Sequence, residues 1–199
     1  MQRSSGVQIN IVEKCMHNLI TQGLGLSLSD PNLADTPKRV ARMLCNEFFE
    51  SLDKLPPKVT VFPNDKDYDE IIMLDNVPYS STCAHHFVTF GGLAWFLYVP
   101  DKILAGASKI ARIIHYFSKK PQIQELLSRE IVDFFVDRVQ PKGVMLVMRG
   151  THQCMSCRGV KTGNDAGMVT SVLYGCFKDD PAARDEGLQL IQMSITDRR

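Results

Sequence analysis

The stretch SKIARIIHYFSKKPQIQELLSREIVDFFVDR, residues 108–138, decides the fold. Ile110, Ile113, Ile114 and Phe117 recur at i, i+3, i+4 and i+7, which predicts a helix over 108–118 with one apolar face. Pro121 then restarts a longer helix to about Arg138, with Ile123, Leu127, Ile131, Phe134 and Phe135 turned inward. On either side the period changes. Before the pair lies VTFGGLAWFLYV, residues 88–99, and after it VMLVM, residues 144–148; both are rich in β-branched, aromatic and aliphatic residues and read as strands. Farther out, Ile71–Leu74 and Met168–Phe177 read as strands and Pro181–Ile191 as a closing helix. Strand runs around a helix pair predict an α+β domain, an antiparallel sheet covered on one side by helices.

Upstream the chain reads as helical. Ile9, Val12, Met16, Leu19 and Ile20 form a stripe over 8–22, and Gly23 stops it. Thr36-Pro37 reads as an N-cap with proline at the first helical position. The helix it opens has Val40, Met43, Leu44 and Phe48 on its inner face. Residues 55–69, from Leu55-Pro56-Pro57 to Asp69, are a proline- and charge-bearing connector. The expected division is an N-terminal helical segment, 1–55, and a second domain, 56–199, that holds the sheet.

The whole chain, 199 residues, is enough for one substantial core. Twenty-three basic residues against 22 acidic ones give a formal net charge of +1, which excludes a broadly basic nucleic-acid wrapper. No apolar run reaches the roughly 20 residues of a spanning helix, and no signal-peptide core follows Met1. A cytoplasmic protein without membrane attachment is expected. In a reducing compartment six cysteines are core fillers, metal ligands or reactive thiols rather than bridges.

Three of those cysteines, with three of the five histidines, occupy just ten positions: Cys83-Ala84-His85-His86 and His152-Gln153-Cys154-Met155-Ser156-Cys157. Zinc favours this mixture of thiolate and imidazole. Cys83 and His86, three apart, can be aimed at one point by a single turn. His152 and Cys154, two apart, project from one face if the segment is extended. A three-ligand site with an open position would be catalytic, whereas Cys154-x-x-Cys157 with Cys83 and one histidine would be a closed structural site. Cys15, Cys45 and Cys176 read as packing residues, and His17 and His115 as structural or surface residues.

At these residues the sequence resembles the GTP cyclohydrolase I family. The motifs are Thr36-Pro37-Lys38-Arg39-Val40-Ala41, Cys83-Ala84-His85-His86, Gly106-Ala107-Ser108-Lys109-Ile110-Ala111-Arg112, Gln122-Ile123-Gln124-Glu125, and Thr151-His152-Gln153-Cys154-Met155 with Arg158-Gly159-Val160. Their order holds from about residue 8 to 192. The resemblance implies the tunnelling fold, an antiparallel sheet with two helices on one face, preceded here by the helical segment. It also implies a ring-shaped homodecamer with active sites between subunits.

The resemblance implies Zn2+ held by Cys83, His86 and Cys154. The zinc would activate water for attack on C8 of GTP, with release of formate and rearrangement to 7,8-dihydroneopterin triphosphate, a first step toward tetrahydrofolate, other pterins or deazaguanine nucleosides. It implies His85 and His152 as the acid/base pair and Glu125, assisted by Gln124, as the group that reads the guanine edge. Ser108, Lys109, Arg112 and Arg158, with Arg39 and Arg42, would hold the triphosphate. Two positions depart from the family pattern. Ala84 stands where the family usually has glutamate, and Cys157 where it has an aliphatic residue or methionine. Ala84 therefore keeps two alternatives open, a catalytically weak zinc-stabilised purine or pterin binder and an altered nucleotide preference. A sibling of the same fold, acting on deazapurine nitriles with a nicotinamide cofactor and a cysteine nucleophile, is the third.

Overall fold

The structure, a computed structural model, describes residues 6–163 and 165–196. The chain divides into two compact units, Met1–Leu55 and Pro56–Arg199.

In the first unit α1, Ile9–Asn18, runs on through a wider π-type turn, Leu19–Gly23. Its expected apolar stripe is shallow: only Ile20 is buried, and Ile9, Leu19 and Cys15 are exposed. Cys15 is therefore not the packing residue its position suggested. Helix α2, Thr36–Met43, passes into a second π-type turn, Leu44–Phe48. Asp35, not Thr36, occupies the N-cap, without a side-chain cap, and Pro37 sits in the first turn. The buried stripe is Pro37, Ala41, Cys45 and Phe49, a spacing of four, while Val40, Met43, Leu44 and Phe48 are half-buried. The backbone N–H of Val7 donates to both carboxylate oxygens of Asp53 at 2.9 and 2.8 Å, tying the two ends of this unit together.

The second unit opens with β1, Val61–Pro63. The long strands β2, Ile72–Cys83, and β3, Thr89–Val99, follow, and then short β4, Ile103–Ala105, which pairs with β1. Helix α3, Ala107–Ser118, comes next, then the two-residue strand β5, Pro121–Gln122, and α4, Gln124–Val139. Strand β6, Gly143–His152, ends in the one-turn helix α5, Gln153–Ser156. Strand β7, Met168–Gly175, leads into α6, Cys176–Asp179, and α7, Pro181–Thr196. The main sheet has the order β5-β2-β3-β6-β7, antiparallel except for the β5–β2 contact, which is parallel.

Two differences from the sequence reading shape the site. Strand β2 does not stop at Leu74. Asp75, Asn76 and Pro78 look like strand breakers, yet a bulge between Leu74 and Val77, with Asn76 at φ 52°, absorbs them and the strand continues to Cys83. Nor does the second helix begin at Pro121. Pro121 and Gln122 pair with Thr82 and Cys83, and the helix starts at Gln124. This short parallel bridge brings the head of α4 to the end of β2.

The core lies between the sheet and the helix pair. Val77, Phe90, Ala94, Phe96, Tyr98, Leu146 and Met148 from the sheet meet Ile110, Ile113 and Ile114 of α3 and Leu127, Ile131 and Phe135 of α4. Each such fully buried aliphatic or aromatic side chain contributes about 1.5–3 kcal/mol. The other face of the sheet carries Trp95, Leu97 and Met145, packed against Phe177 and against Ile191 of α7. The architecture is the α+β arrangement of a tunnelling-type fold, antiparallel sheet with two helices on one face, plus a closing helix at the opposite face. Among the described residues no helix is long and apolar enough to cross a membrane.

Candidate metal centre and active site

At the end of β2 the chain makes a tight turn. The N–H of Phe87 donates to the Cys83 carbonyl at 2.9 Å, and the N–H of Cys83 to the Val88 carbonyl at 2.9 Å. Phe87 closes the turn at φ 52°, a left-handed conformation that costs a bulky L-residue about 1–2 kcal/mol. The N–H of Ala84 donates to the Gln122 carbonyl at 2.9 Å, so the parallel bridge steadies the turn. Cys83 is buried, while Ala84, His85 and His86 are exposed.

The second cluster starts where β6 ends. His152 is the last strand residue, and Cys154 lies in the helical turn α5. The two therefore do not share one face of an extended segment, because the backbone coils between them. His152 lies parallel to Phe90, ring centroids 4.6 Å apart and planes 6° apart. Cys154 approaches Cys83 instead.

The Sγ atoms of Cys83 and Cys154 and a ring nitrogen of His86 all lie within 4.8 Å of one another. Among the described residues this is the one group that offers three such ligand atoms together. Cys157 is exposed and outside it, so the closed Cys-x-x-Cys arrangement is not formed. His85 also stays outside, its Nδ1 3.8 Å from the Cys83 sulfur. Burial pushes the Cys154 thiol up, and the adjacent Cys83 sulfur pushes it further, against the opposing pull of the Arg158 guanidinium. Two sulfurs this close resist ionising together. A divalent cation between them would reverse that preference, so the donor set fits a metal.

His152 is held by protein on two sides. Phe90 covers its face, and its Nε2 is 3.0 Å from Oε1 of Gln124. Burial lowers the pKa of His152, and the Glu125 carboxylate opposes that shift, which places Glu125 within electrostatic reach of the ring. Glu125 is exposed in the first turn of α4, where the helix dipole favours a carboxylate. Gln124 is completely buried. Its Nε2 donates to the carbonyls of Met148 and Met168 and to Oγ1 of Thr170, each at 3.1 Å, and its Oε1 accepts from the Tyr79 hydroxyl at 3.2 Å.

The expected phosphate ligands fall in three places. Ser108, Lys109 and Arg112 lie on α3 beside the buried Ile110, Ile113 and Ile114, with Ser108 and Arg112 exposed and Lys109 half-buried. Arg158 is exposed just after α5, and none of these three cations makes an ion pair among the described residues. Arg39 and Arg42 are exposed in the first unit, where Arg39 meets Asp35 at 3.4 Å. His115 is structural as expected, with Nε2 2.9 Å from the Pro78 carbonyl. Sequence reasoning missed Phe90, Tyr79 and Thr170. All three join the site across the sheet, and no local spacing marks them.

A sheet whose rim gathers two thiols and an imidazole, beside a half-buried histidine held by a buried amide, defines a protein of the tunnelling-fold class with a candidate metal centre. The family model for GTP cyclohydrolase I matches residues 12–192. GTP cyclohydrolase 1 of Aeromonas hydrophila is 42% identical over 170 residues, 85% of this chain and 78% of that protein. GTP cyclohydrolase 1 of Shewanella sp. strain ANA-3 is 39% identical over 178 residues, 89% of this chain and 82% of that protein. The chain belongs to the GTP cyclohydrolase I family. Among solved structures, the apo form of the archaeosine synthase QueF-Like matches at 11% identity, with a TM-score of 0.42 over 53% of this chain and 93% of that one. That likeness is too slight to bear on function.

Proposed function

We propose that the protein hydrolytically opens the purine ring of GTP at a zinc centre, releasing formate and yielding 7,8-dihydroneopterin triphosphate. The observation that carries this reading is the convergence of Cys83, His86 and Cys154 within 4.8 Å in a chain of this family. Two thiolates and one imidazole suit zinc, and a set of three protein ligands is the catalytic pattern rather than the structural one. When bound, zinc would supply the Lewis acidity that makes water a nucleophile near neutral pH.

The chain's own residues do the rest. Glu125 presents a carboxylate to the paired N–H donors of guanine, N1–H and the exocyclic amine, which adenine does not offer together. His152, screened from water by Phe90, and His85, exposed beside the zinc cysteine, move protons during ring opening and closure. Lys109, Arg112 and Arg158 neutralise the triphosphate, with Ser108 at the head of α3. Arg39 and Arg42 belong to the same reading. So does the homodecamer; the edge strand β7, with exposed Val169 and Tyr174, leaves a strand edge open to pairing between copies. Six free cysteines fit a reducing cytoplasm.

Incubation of the purified protein with GTP, following formate and the fluorescence of oxidised pterin while zinc is quantified, tests the proposal. Product with about one zinc per chain is expected. Intact zinc without product would favour the binding homologue that Ala84 suggests. Turnover of a deazapurine nitrile with a nicotinamide cofactor would replace the reading.

A further inference from the structure

We propose that Gln124 is a positioning residue that holds the neutral His152 ring as its Nε2–H tautomer and leaves the ring's lone pair on Nδ1. The argument runs through the buried amide. Its nitrogen end faces two backbone carbonyls, of Met148 and Met168, at 3.1 Å each. A carbonyl oxygen only accepts. If the amide were turned over, its oxygen would meet both carbonyls lone pair against lone pair, in a place no water reaches. The NH2 group is therefore set toward the sheet, and Oε1 toward Tyr79 and His152.

Oε1 is also only an acceptor. At 3.0 Å from it, Nε2 of His152 has to carry the proton. In the neutral ring that leaves the lone pair on Nδ1, which makes no hydrogen bond among the described residues. An independent feature shows that the arrangement is built in. A Cβ on Gly150 would lie 2.5 Å from the Tyr79 hydroxyl and 2.7 Å from Oε1, so only glycine leaves room for the pair there. Thr170 completes the lock, with its hydroxyl 2.8 Å from that of Ser128. Gln124 is completely buried with its polar atoms hydrogen-bonded, which favours control of His152 over the direct substrate contact that the resemblance implied.

The tautomer is a property of the resting protein. Its consequence for turnover rests on the proton-transfer role proposed above, and the two are read separately. Nitrogen-15 NMR of the purified, metal-retaining protein, with the His152 signals assigned by their loss in His152→Asn, should show a protonated, pyrrole-like Nε2 and a pyridine-like Nδ1. The reverse pattern would overturn the proposal even if GTP is turned over. Gln124→Met should give a mixture of tautomers. With GTP its kcat should fall about 10²-fold while KM stays within about threefold, because placement rather than binding is lost. A raised KM at unchanged kcat would show that Gln124 binds substrate and sink the idea. Tyr79→Phe removes a second donor to Oε1 but leaves the amide held by both carbonyls, so the Nε2–H signal of His152 should persist there, and its loss would show that the carbonyls do not fix the amide. A wild type with the predicted tautomer but no turnover would overturn the proposed function and leave the tautomer standing.

Discussion

His85 and His152 are expected to share the acid/base work, yet they live in opposite surroundings. His85 rides an exposed turn, with the Cys83 sulfur at 3.8 Å. His152 is stacked on Phe90 and hydrogen-bonded to an amide that is itself completely buried. The difference teaches how one site divides its labour. His85, on the exposed turn, is open to water, whereas His152, at the end of a strand, is held in one orientation by Phe90 and Gln124. The same contrast runs through the candidate metal ligands, since Cys83 is buried, Cys154 half-buried and His86 exposed.

The contrast breaks most completely if the metal ligands go. Cys154→Ser and His86→Ala should lose bound metal and fall to background turnover, whereas His85→Ala should keep its metal; equal metal content in His85→Ala and His86→Ala would overturn the ligand assignment. Next come the two histidines themselves. His85→Ala and His152→Ala should each lower kcat by about 10²–10⁴-fold. Added imidazole should restore activity to His85→Ala, whose vacated place is open, and not to His152→Ala. Rescue of both, or of His152→Ala alone, would erase the distinction.

A smaller effect is expected from the stack. Phe90→Leu removes an aromatic partner worth about 0.5–1.5 kcal/mol beyond its buried area, and should lower thermal stability while leaving metal content intact. Loss of metal in that variant would mean that the stack shapes the metal site too. The smallest effect is in pH. Burial lowers the pKa of His152 in the folded state, so below the unfolded histidine range, near 6.5, the unfolded chain binds the additional proton. Stability should therefore fall as pH drops through that range toward the folded pKa, and less so in His152→Asn. Parallel melting curves of the two proteins across pH 5–8 would remove His152 from the account.

The helix pair and the strands around it were legible because their period is local. Ile110, Ile113 and Ile114 are all buried where the i, i+3, i+4 pattern puts them. The metal group was legible for a similar reason, since each cluster is confined to a few residues. What escaped was set by pairing between distant strands. Asn76 and Pro78 argue locally against a strand, and only the bulge opposite β3 lets β2 run on to Cys83. Pro121 looks like a helix start until its partner Thr82 is known. Tyr79 and Thr170 meet Gln124 through sheet register, which no window of sequence contains.

The distance along the chain between Cys83 and Cys154 has a consequence for the order of assembly. Cys83 and Cys154 stand at the two ends of a chain segment that contains both covering helices, and Phe90 faces His152 only once β3 has zipped to β6. Closing so long a segment costs entropy before any contact repays it. A metal ion would thus meet at most the local pair Cys83 and His86 in the unfolded chain, and all three candidate ligands only after the sheet is complete. A metal bound there would act as a late clasp, favouring the finished fold by mass action, by about 2.7 kcal/mol at a free concentration of 100 Kd.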